Sequence, residues 1–486
     1  MANFESLLNC NEQESLRQSL QEHSSRCIRM HADRLDAQLA FSTVRVPWFD
    51  GGRFLDDSEI RPAAFLSYAT ADYYIQDAAS LLPLALLDVQ QNEKICDLCA
   101  APGGKASAIA ERLGPDGFLL ANESIRSRLD VLKYALARTG KPTHAVCSYD
   151  PERLVEHATK MFDAVLVDAP CSGQTLVAKN KRDENAFADN QIEHCALRQK
   201  RILLAAIKLL RPGGRLVYST CTFSTEENED QIRWLHSTFP NSWEPIEPVK
   251  LEEWKSSLEP GCYRLWPHRH RCAGGFAAAL RLVKELDTDA SKSKSTSEQT
   301  NRKSHAQSSF AKRPLEKKEN QKARDATNAR GEELLHGLGQ LRDLTLDWRS
   351  GHAHCLTTGV LNALTELSKL HLQPSTVLIE TGNHFVPTQA LAMMDSRFFQ
   401  SHKQVELNKS QAIEFMNGRA IARLEGELGA TAGWSIAMWE GRPLGWFKSA
   451  SNRWNNHLPA WARLNLDDCD PRQGPRYLDS NSKMKS

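Results

Sequence analysis

No uninterrupted apolar run in the sequence approaches 18 residues, which excludes the ordinary membrane-spanning helix. The opening, MANFESLLNCNEQESLRQ, lacks the basic flank and apolar stretch of a secretory signal, and none is expected. Net charge is nearly absent: 61 Lys and Arg stand against 60 Asp and Glu, a formal balance of +1. Overall charge therefore points to no partner, and any nucleic-acid footprint has to be local. Twelve cysteines are scattered over 486 residues without the density of a disulfide framework, so reduced thiols in a cytoplasmic protein are the economical reading. Cys96 and Cys99 form a C-x-x-C with no second pair at matching spacing, inside an apolar run. Neither zinc nor redox chemistry is expected there, and no metal is required. No internal repeat is evident.

The length allows two to four domains. From about Val89 to Val283 apolar strand-like runs alternate with helical spacing: EKICDLCA, GKASAIAERLG, GFLLANE, SRLDVLKYALARTG, THAVCSYD, FDAVLVDAP, RILLAAIKLLRPGG and RLVYSTC. The alternation predicts an α/β domain built on a parallel, doubly wound sheet over 89–288, preceded by a separate region at 1–88. At 289–335 the composition turns polar and basic, with eleven Lys or Arg against four Asp or Glu between Ser291 and Arg330. Too little apolar surface is present there to offset ordering, so a flexible linker is expected, one whose charge would attract RNA phosphates non-specifically. The region 336–470 includes WSIAMWEGRPLGWFKSASNRWNNHLPAWARL, whose tryptophans, arginines and Gly/Pro turns predict a β-rich domain, and 471–486 is a tail.

Ligands of such sheets bind beyond the carboxyl ends of the strands. DLCAAPGGKAS follows the first strand and opens the first helix, so Gly103 and Gly104 would let backbone approach a ligand while helix amides face an anion. The spacing is neither that of a Walker loop nor G-x-G-x-x-G. Glu123, twenty residues beyond Gly103, is placed to accept from ribose hydroxyls, and Asp150 and Asp168 are read at the ends of two further strands. Each taken singly is equally readable as a surface carboxylate near a helix start. Two cysteines join them: Cys221 in YSTCT and, fifty residues earlier, Cys171 in VDAPCSG. A lone cysteine is ordinarily a small buried hydrophobe.

Together DLCAAPGGK, VDAPCSG and YSTCTFSTEENE resemble, in order, the motifs of the Sun/nucleolar-protein family of S-adenosylmethionine-dependent RNA cytosine-5 methyltransferases. The likeness covers roughly Val46 to Leu282, with YYIQDAAS and YRLWPHRHRCAGGF as its flanks, and EGRPLGWFKSASNRWNNHLPAWAR is more loosely similar to a PUA-like RNA-binding module of the family's bacterial branch. The resemblance implies a Rossmann-like class I methyltransferase domain between an N-terminal RNA-binding region and a C-terminal PUA-like domain. It implies that Cys99, Ala100, Ala101, Pro102, Gly103, Gly104 and Lys105 hold the methionine end of S-adenosylmethionine. Glu123 would take the ribose, Asp150 would lie near the adenine, and Asp168 would sit between cofactor and base. Lys179, in VAKN, would stand near the substrate.

Cytosine carbon 5 is too weak a nucleophile to take a methyl group from a sulfonium unaided. A thiolate adding to carbon 6 raises its electron density, and an acid at ring N3, for which Asp168 is the candidate, stabilises the adduct. Lowering a thiol pKa by about 1.5 units, worth about 2 kcal/mol, makes roughly half of it reactive near neutral pH. Spacing does not decide which cysteine attacks; the resemblance assigns attack to Cys221 and product release to Cys171. The segment GGF at Gly274 to Phe276 lacks the family's acidic residue and second aromatic, CIRMHADRL matches the N-terminal family pattern only at Arg29, and the usual Pro after CSG is missing. The expected partner is RNA, foremost ribosomal RNA or the small ribosomal subunit, with no membrane partner and the chain acting as a monomer. The same reaction on transfer RNA, or a non-catalytic RNA-binding assembly factor, are the alternatives.

Overall fold

The structure, a computed structural model, describes residues 4–466 apart from 5–6, 22–24, 180–183, 285–317, 423–432, 451–452 and 465. The expected tail at 471–486 and the expected linker as far as residue 317 lie outside the described residues. Near the N-terminus β1 (Cys27–Met30), β2 (Thr43–Arg45), β3 (Gly52–Leu55) and β4 (Tyr73–Ile75) pair antiparallel in the order β2-β3-β1-β4. The short helix Leu82–Leu87 that follows is apolar throughout and wholly buried, so it packs into the core of the next layer and does not belong to the surface of an independent N-terminal unit.

That next layer is a parallel sheet of β5 (Lys94–Asp97), β6 (Phe118–Asn122), β7 (His144–Cys147), β8 (Phe162–Asp168) and β9 (Leu210–Thr220), in the order β9-β8-β5-β6-β7. Every residue of β6 and β7 is buried, as expected for strands covered by helices on both faces, which is why they read as continuous apolar runs. The chain winds outward from β5 to β7 and then returns to place β8 on the other side of β5, so the crevice of the fold opens beyond the ends of β5 and β8. The sheet departs from the expected all-parallel form. Beyond the short strands β10 (Trp243–Pro245) and β11 (Cys262–Leu265), β12 (Gly275–Leu282) runs antiparallel to β9, with Phe276 opposite Thr220.

The C-terminal region is divided differently from the sequence expectation. A helix spans Lys318–Leu338, inside the segment expected as linker, because its last turns bury Leu335 and Leu338 against Val377 and Phe385. Strands Thr345–Arg349, His352–Leu356 and Gln373–Thr381 form an antiparallel set that joins the parallel sheet itself: Gln373 pairs with Val146 and Pro374 with Ala145 at the edge of β7. The helix Thr358–Glu366 begins so close to the turn after Pro115 that a Cβ on Gly359 would fall 2.3 Å from the Gly117 carbonyl. Only Gln404–Asn456 makes a separate five-stranded sheet. Among the described residues no helix is long and apolar enough to cross a membrane.

Arg29, the one N-terminal position where the family pattern survives, is fully buried and ties the two N-terminal layers together. Its guanidinium pairs with Glu111 and donates to Ser107 Oγ at 2.8 Å, both on the helix Gly104–Arg112. Burial, the largest single influence, would raise the Glu111 carboxyl, but the charge and hydrogen bond of Arg29, with His31 and Arg112 nearby, together outweigh it and hold the group at about 2. Arg29→Ala should therefore strand a buried carboxylate and cost about 3–5 kcal/mol, read as a fall in the urea unfolding midpoint. Because the folded carboxyl sits below its ordinary value of 4.5, the stabilisation from this pair should be complete above that pH and lost as pH falls through about 2. A loss under about 1 kcal/mol in the variant would rule out the tie.

Candidate active site

The register of β8 on β9 sets Asp168 opposite Ser219 at the strand ends. Three residues after Asp168 and two after Ser219, the chains carry Cys171 and Cys221, whose sulfurs lie 3.1 Å apart. The Cys221 backbone N–H also donates to Cys171 Sγ at 3.3 Å. The hydrogen bond between the sulfurs is the main influence holding the Cys221 thiol below its ordinary value, against the opposing effect of burial. The same bond, with burial adding to it, pushes the Cys171 thiol well up. Of the two thiols, Cys221 is therefore the one whose ionisation the pairing favours.

Asp168 accepts from Ser219 Oγ at 2.8 Å and pairs with Lys105 Nζ at 2.6 Å, so the end of β8 is locked to the helix that opens after β5. A cavity of about 930 Å³ opens here, lined by Cys99, Ala101, Pro102, Lys105, Glu123, Asp150, Asp168, Cys171 and Cys221 together with Arg128, His194 and Arg198. Glu123 follows β6 and is buried; it accepts from Ile125 N–H at 2.9 Å and from Arg128 at 3.0 Å, while Arg128 also donates to the Ala101 carbonyl at 2.7 Å. Asp150 stands at the start of the helix Pro151–Ala158, three residues past the end of β7, and does not end a strand.

Ala100, Gly103 and Gly104 lie behind the cavity wall. Both glycines are required by close packing: a Cβ on Gly103, whose φ is +110°, would meet Ala135 Cβ at 2.4 Å, and one on Gly104 would press on Tyr74 at 3.2 Å. Their smallness lets the loop settle against its neighbours and turn Cys99, Ala101 and Pro102 into the cavity. Lys179 closes the short helix Gln174–Lys179, and its side chain lies outside the described residues. All the described cysteines are free, and among the described residues no group of three or more His, Cys, Asp or Glu is arranged to hold a metal.

Several residues of the site carried no usable sequence signal. Asp97, at the end of β5, is fully buried; its Oδ1 accepts from Cys99 N–H at 3.3 Å and its Oδ2 has no partner. Burial, with Asp168 nearby, raises its carboxyl to about 7. Arg128, Ser172 and Gln199, the last on the helix Asp189–Leu209, reach the site by virtue of the tertiary fold, and Glu227 lies in a run of carboxylates that follows Cys221. The only hint was the density of acids in STEENED.

Residues 84–281 match the family described as 16S rRNA methyltransferase RsmB/F, and residues 402–464 match the methyltransferase RsmF PUA domain. Ribosomal RNA small subunit methyltransferase F of Escherichia coli (strain SMS-3-5 / SECEC) is 33% identical over 281 residues, covering 56% of this chain and 59% of that protein. The protein of the same name from Salmonella agona (strain SL483) is 34% identical over 259 residues, covering 52% and 54%. The chain thus spans between half and two thirds of the length of these curated relatives. The crystal structure of NSun6 from Pyrococcus horikoshii with SFG shares the fold, with a TM-score of 0.51 at 21% identity over 58% of this chain and 97% of that one. Over residues 84–281 the chain is thus similar to the RsmB/F methyltransferase family.

Proposed function

We propose that the protein is an S-adenosylmethionine-dependent RNA cytosine-5 methyltransferase of the cytoplasm, acting on a cytidine of small-subunit ribosomal RNA. The observation that carries the reading is the pair of thiols 3.1 Å apart in a cavity shared with the cofactor loop and Asp168. The site suits the cofactor chemically. Among the described residues Asp97 Oδ2 is buried without a partner near the loop, and Glu123 and Asp150 place further carboxylate oxygens in the cavity wall, acceptors suited to an ammonium group and ribose hydroxyls. Cys99 to Lys105, Glu123, Asp150 and Asp168 are the residues we assign to holding S-adenosylmethionine.

The base has to leave its stack to reach the thiols. Cys221 Sγ adds to carbon 6, and the electron pair displaced toward the ring is met at N3 by a proton that Asp168 relays from Lys105. Bound S-adenosylmethionine would supply the methyl group to the carbon 5 so activated; the carbon 5 proton then leaves to solvent, its bonding pair restores the ring double bond as the carbon 6 to sulfur bond breaks with its pair on Cys221, and N3 gives its proton back through Asp168. Cys171 assists that step as the hydrogen-bond donor to the departing sulfur. The sheet of β1 to β4 and the five-stranded sheet at Gln404–Asn456 are the parts we assign to holding RNA on either side. Within this reading 1–88 is the N-terminal RNA-binding region, 89–288 the methyltransferase domain and 336–470 the PUA-like region, joined by 289–335.

Incubation with radiolabelled S-adenosylmethionine and total RNA from a strain lacking the protein, followed by mapping of 5-methylcytosine, tests the activity; no transfer to any RNA sinks it. Cys221→Ala should abolish both transfer and covalent adduct, whereas Cys171→Ala should accumulate a denaturation-resistant protein–RNA adduct, and the reverse pattern would exchange the roles. Adduct formation in the wild type should rise with pH, because the deprotonated sulfur reacts, and reach half its maximum below the ordinary thiol value of 9.0. Cys171→Ala removes the donor to Cys221 and should displace that profile upward. Asp168→Ala should slow adduct formation by about 10²- to 10⁴-fold in single-turnover assays; a loss under tenfold would remove it from proton transfer.

A further inference from the structure

The carboxylates after Cys221 include one group that the reaction above does not use. Glu227 is wholly buried, and no cation pairs with it among the described residues. Its Oε2 accepts from Ser172 N–H at 2.9 Å and from Gln199 Nε2 at 2.8 Å, and its Oε1 accepts from Ser172 Oγ at 2.5 Å. Gln199 also donates to the Pro170 carbonyl at 3.2 Å, and the Tyr218 hydroxyl donates to the Glu227 carbonyl at 2.6 Å. A buried carboxylate without a counter-ion is costly and is tolerated where several donors satisfy it. Here the donors hold Pro170 and Ser172, the two residues flanking Cys171, while the carboxylate comes from the loop that carries Cys221.

Ser172 Oγ lies 2.9 Å from Thr222 Oγ1 as well, so the residues immediately after the two cysteines are fastened to one another. Thr175 Oγ1 also donates to the Cys221 carbonyl at 3.1 Å and Phe223 N–H to Gln174 Oε1 at 2.9 Å, so the loops are joined on both sides of the sulfurs, which lie 3.1 Å apart, with Glu227 the one buried carboxylate among these contacts. The charged and titratable groups facing the sulfurs are Asp168 from the end of β8, Lys105 from the helix Gly104–Arg112, Tyr218 from β9, and Glu227. Of these, Glu227 alone bonds to the loop of one cysteine from the loop of the other.

We propose that Glu227 is a positioning residue that clamps the Cys171 loop against the Cys221 loop, and so makes Cys221 the attacking sulfur and Cys171 its donor. The roles rest on the methyltransferase reading, but the clamp is measurable without RNA or cofactor. Alkylation of Cys221 by iodoacetamide in the full chain, followed across pH by peptide mass spectrometry, reads the thiolate directly. Glu227→Gln keeps the size of the side chain but turns an N–H₂ toward donors that the carboxylate accepts from.

The expected result is alkylation of Cys221 about three- to tenfold slower near pH 7, with the pH midpoint displaced upward. Binding of S-adenosylmethionine should stay within about twofold, because Glu227 does not line the cavity. Ser172→Ala removes the hydroxyl contacts while keeping the backbone N–H bond; it should move the midpoint the same way by less, and it decides the matter if Glu227→Gln fails to fold. A Cys221 profile that stays in place or moves downward, with only the unfolding midpoint reduced, makes Glu227 a packing group and overturns the proposal. A displaced alkylation profile in a protein that forms no RNA adduct would overturn the methyltransferase reading and leave the clamp standing.

Discussion

Parallel pairing of β8 with β9 is the constraint from which the site follows. By setting Asp168 opposite Ser219 it delivers two loops to the same end of the sheet, so that cysteines fifty residues apart share one hydrogen bond between sulfurs. A shift of one residue in a strand pairing turns side chains to the opposite face, and here it would also part Asp168 from Ser219. Hydrogen bonding between two thiols creates an asymmetry that two separate thiols would lack: it favours ionisation of Cys221 and disfavours that of Cys171. Lys105 then joins β8 to the cofactor loop through Asp168, so the reacting atoms and the loop after β5 move as a unit.

Around this centre the flanking regions are attached by buried charge and by strand pairing more than by loose contact. Arg29 fixes the N-terminal sheet to the helix behind the cofactor loop through Glu111. Lys141 and Arg397 both reach Asp33, at 3.1 and 2.8 Å, joining the methyltransferase domain, the N-terminal region and the C-terminal region at one carboxylate. The strand Gln373–Thr381 extends the catalytic sheet from β7. Under the proposed reading such attachment matters, because contacts an RNA would make far from the cavity then bear on the position of the base within it.

The strands from β5 to β9 were legible because both of their faces are covered, leaving apolar runs broken by Gly, Asp and Pro at their ends. The antiparallel return of β12 was not, since an apolar run carries no direction. The C-terminal boundary was misplaced for a related reason: Lys318–Leu338 looks polar along most of its length, and only Leu335 and Leu338 reveal a buried turn. The packing of Gly103 and Gly104 against Ala135 and Tyr74 was not legible either, because no local pattern predicts those contacts. Asp97 and Glu227 passed unnoticed because a carboxylate in a sequence is by default a solvated one, and burial is a property of the packing around it.

The order of residues determined by itself the alternation of strand and helix, the loop after the first strand, and the presence of two cysteines beside polar strand ends, because those depend on hydrophobic period and local turn chemistry. Tertiary structure decided which groups meet: Cys171 with Cys221, Lys105 with Asp168, and Glu227 with Ser172 and Gln199. It also decided where a proton rests, since a pKa is set by burial and by partners brought from distant parts of the chain, and neither is written in the spacing of the residues.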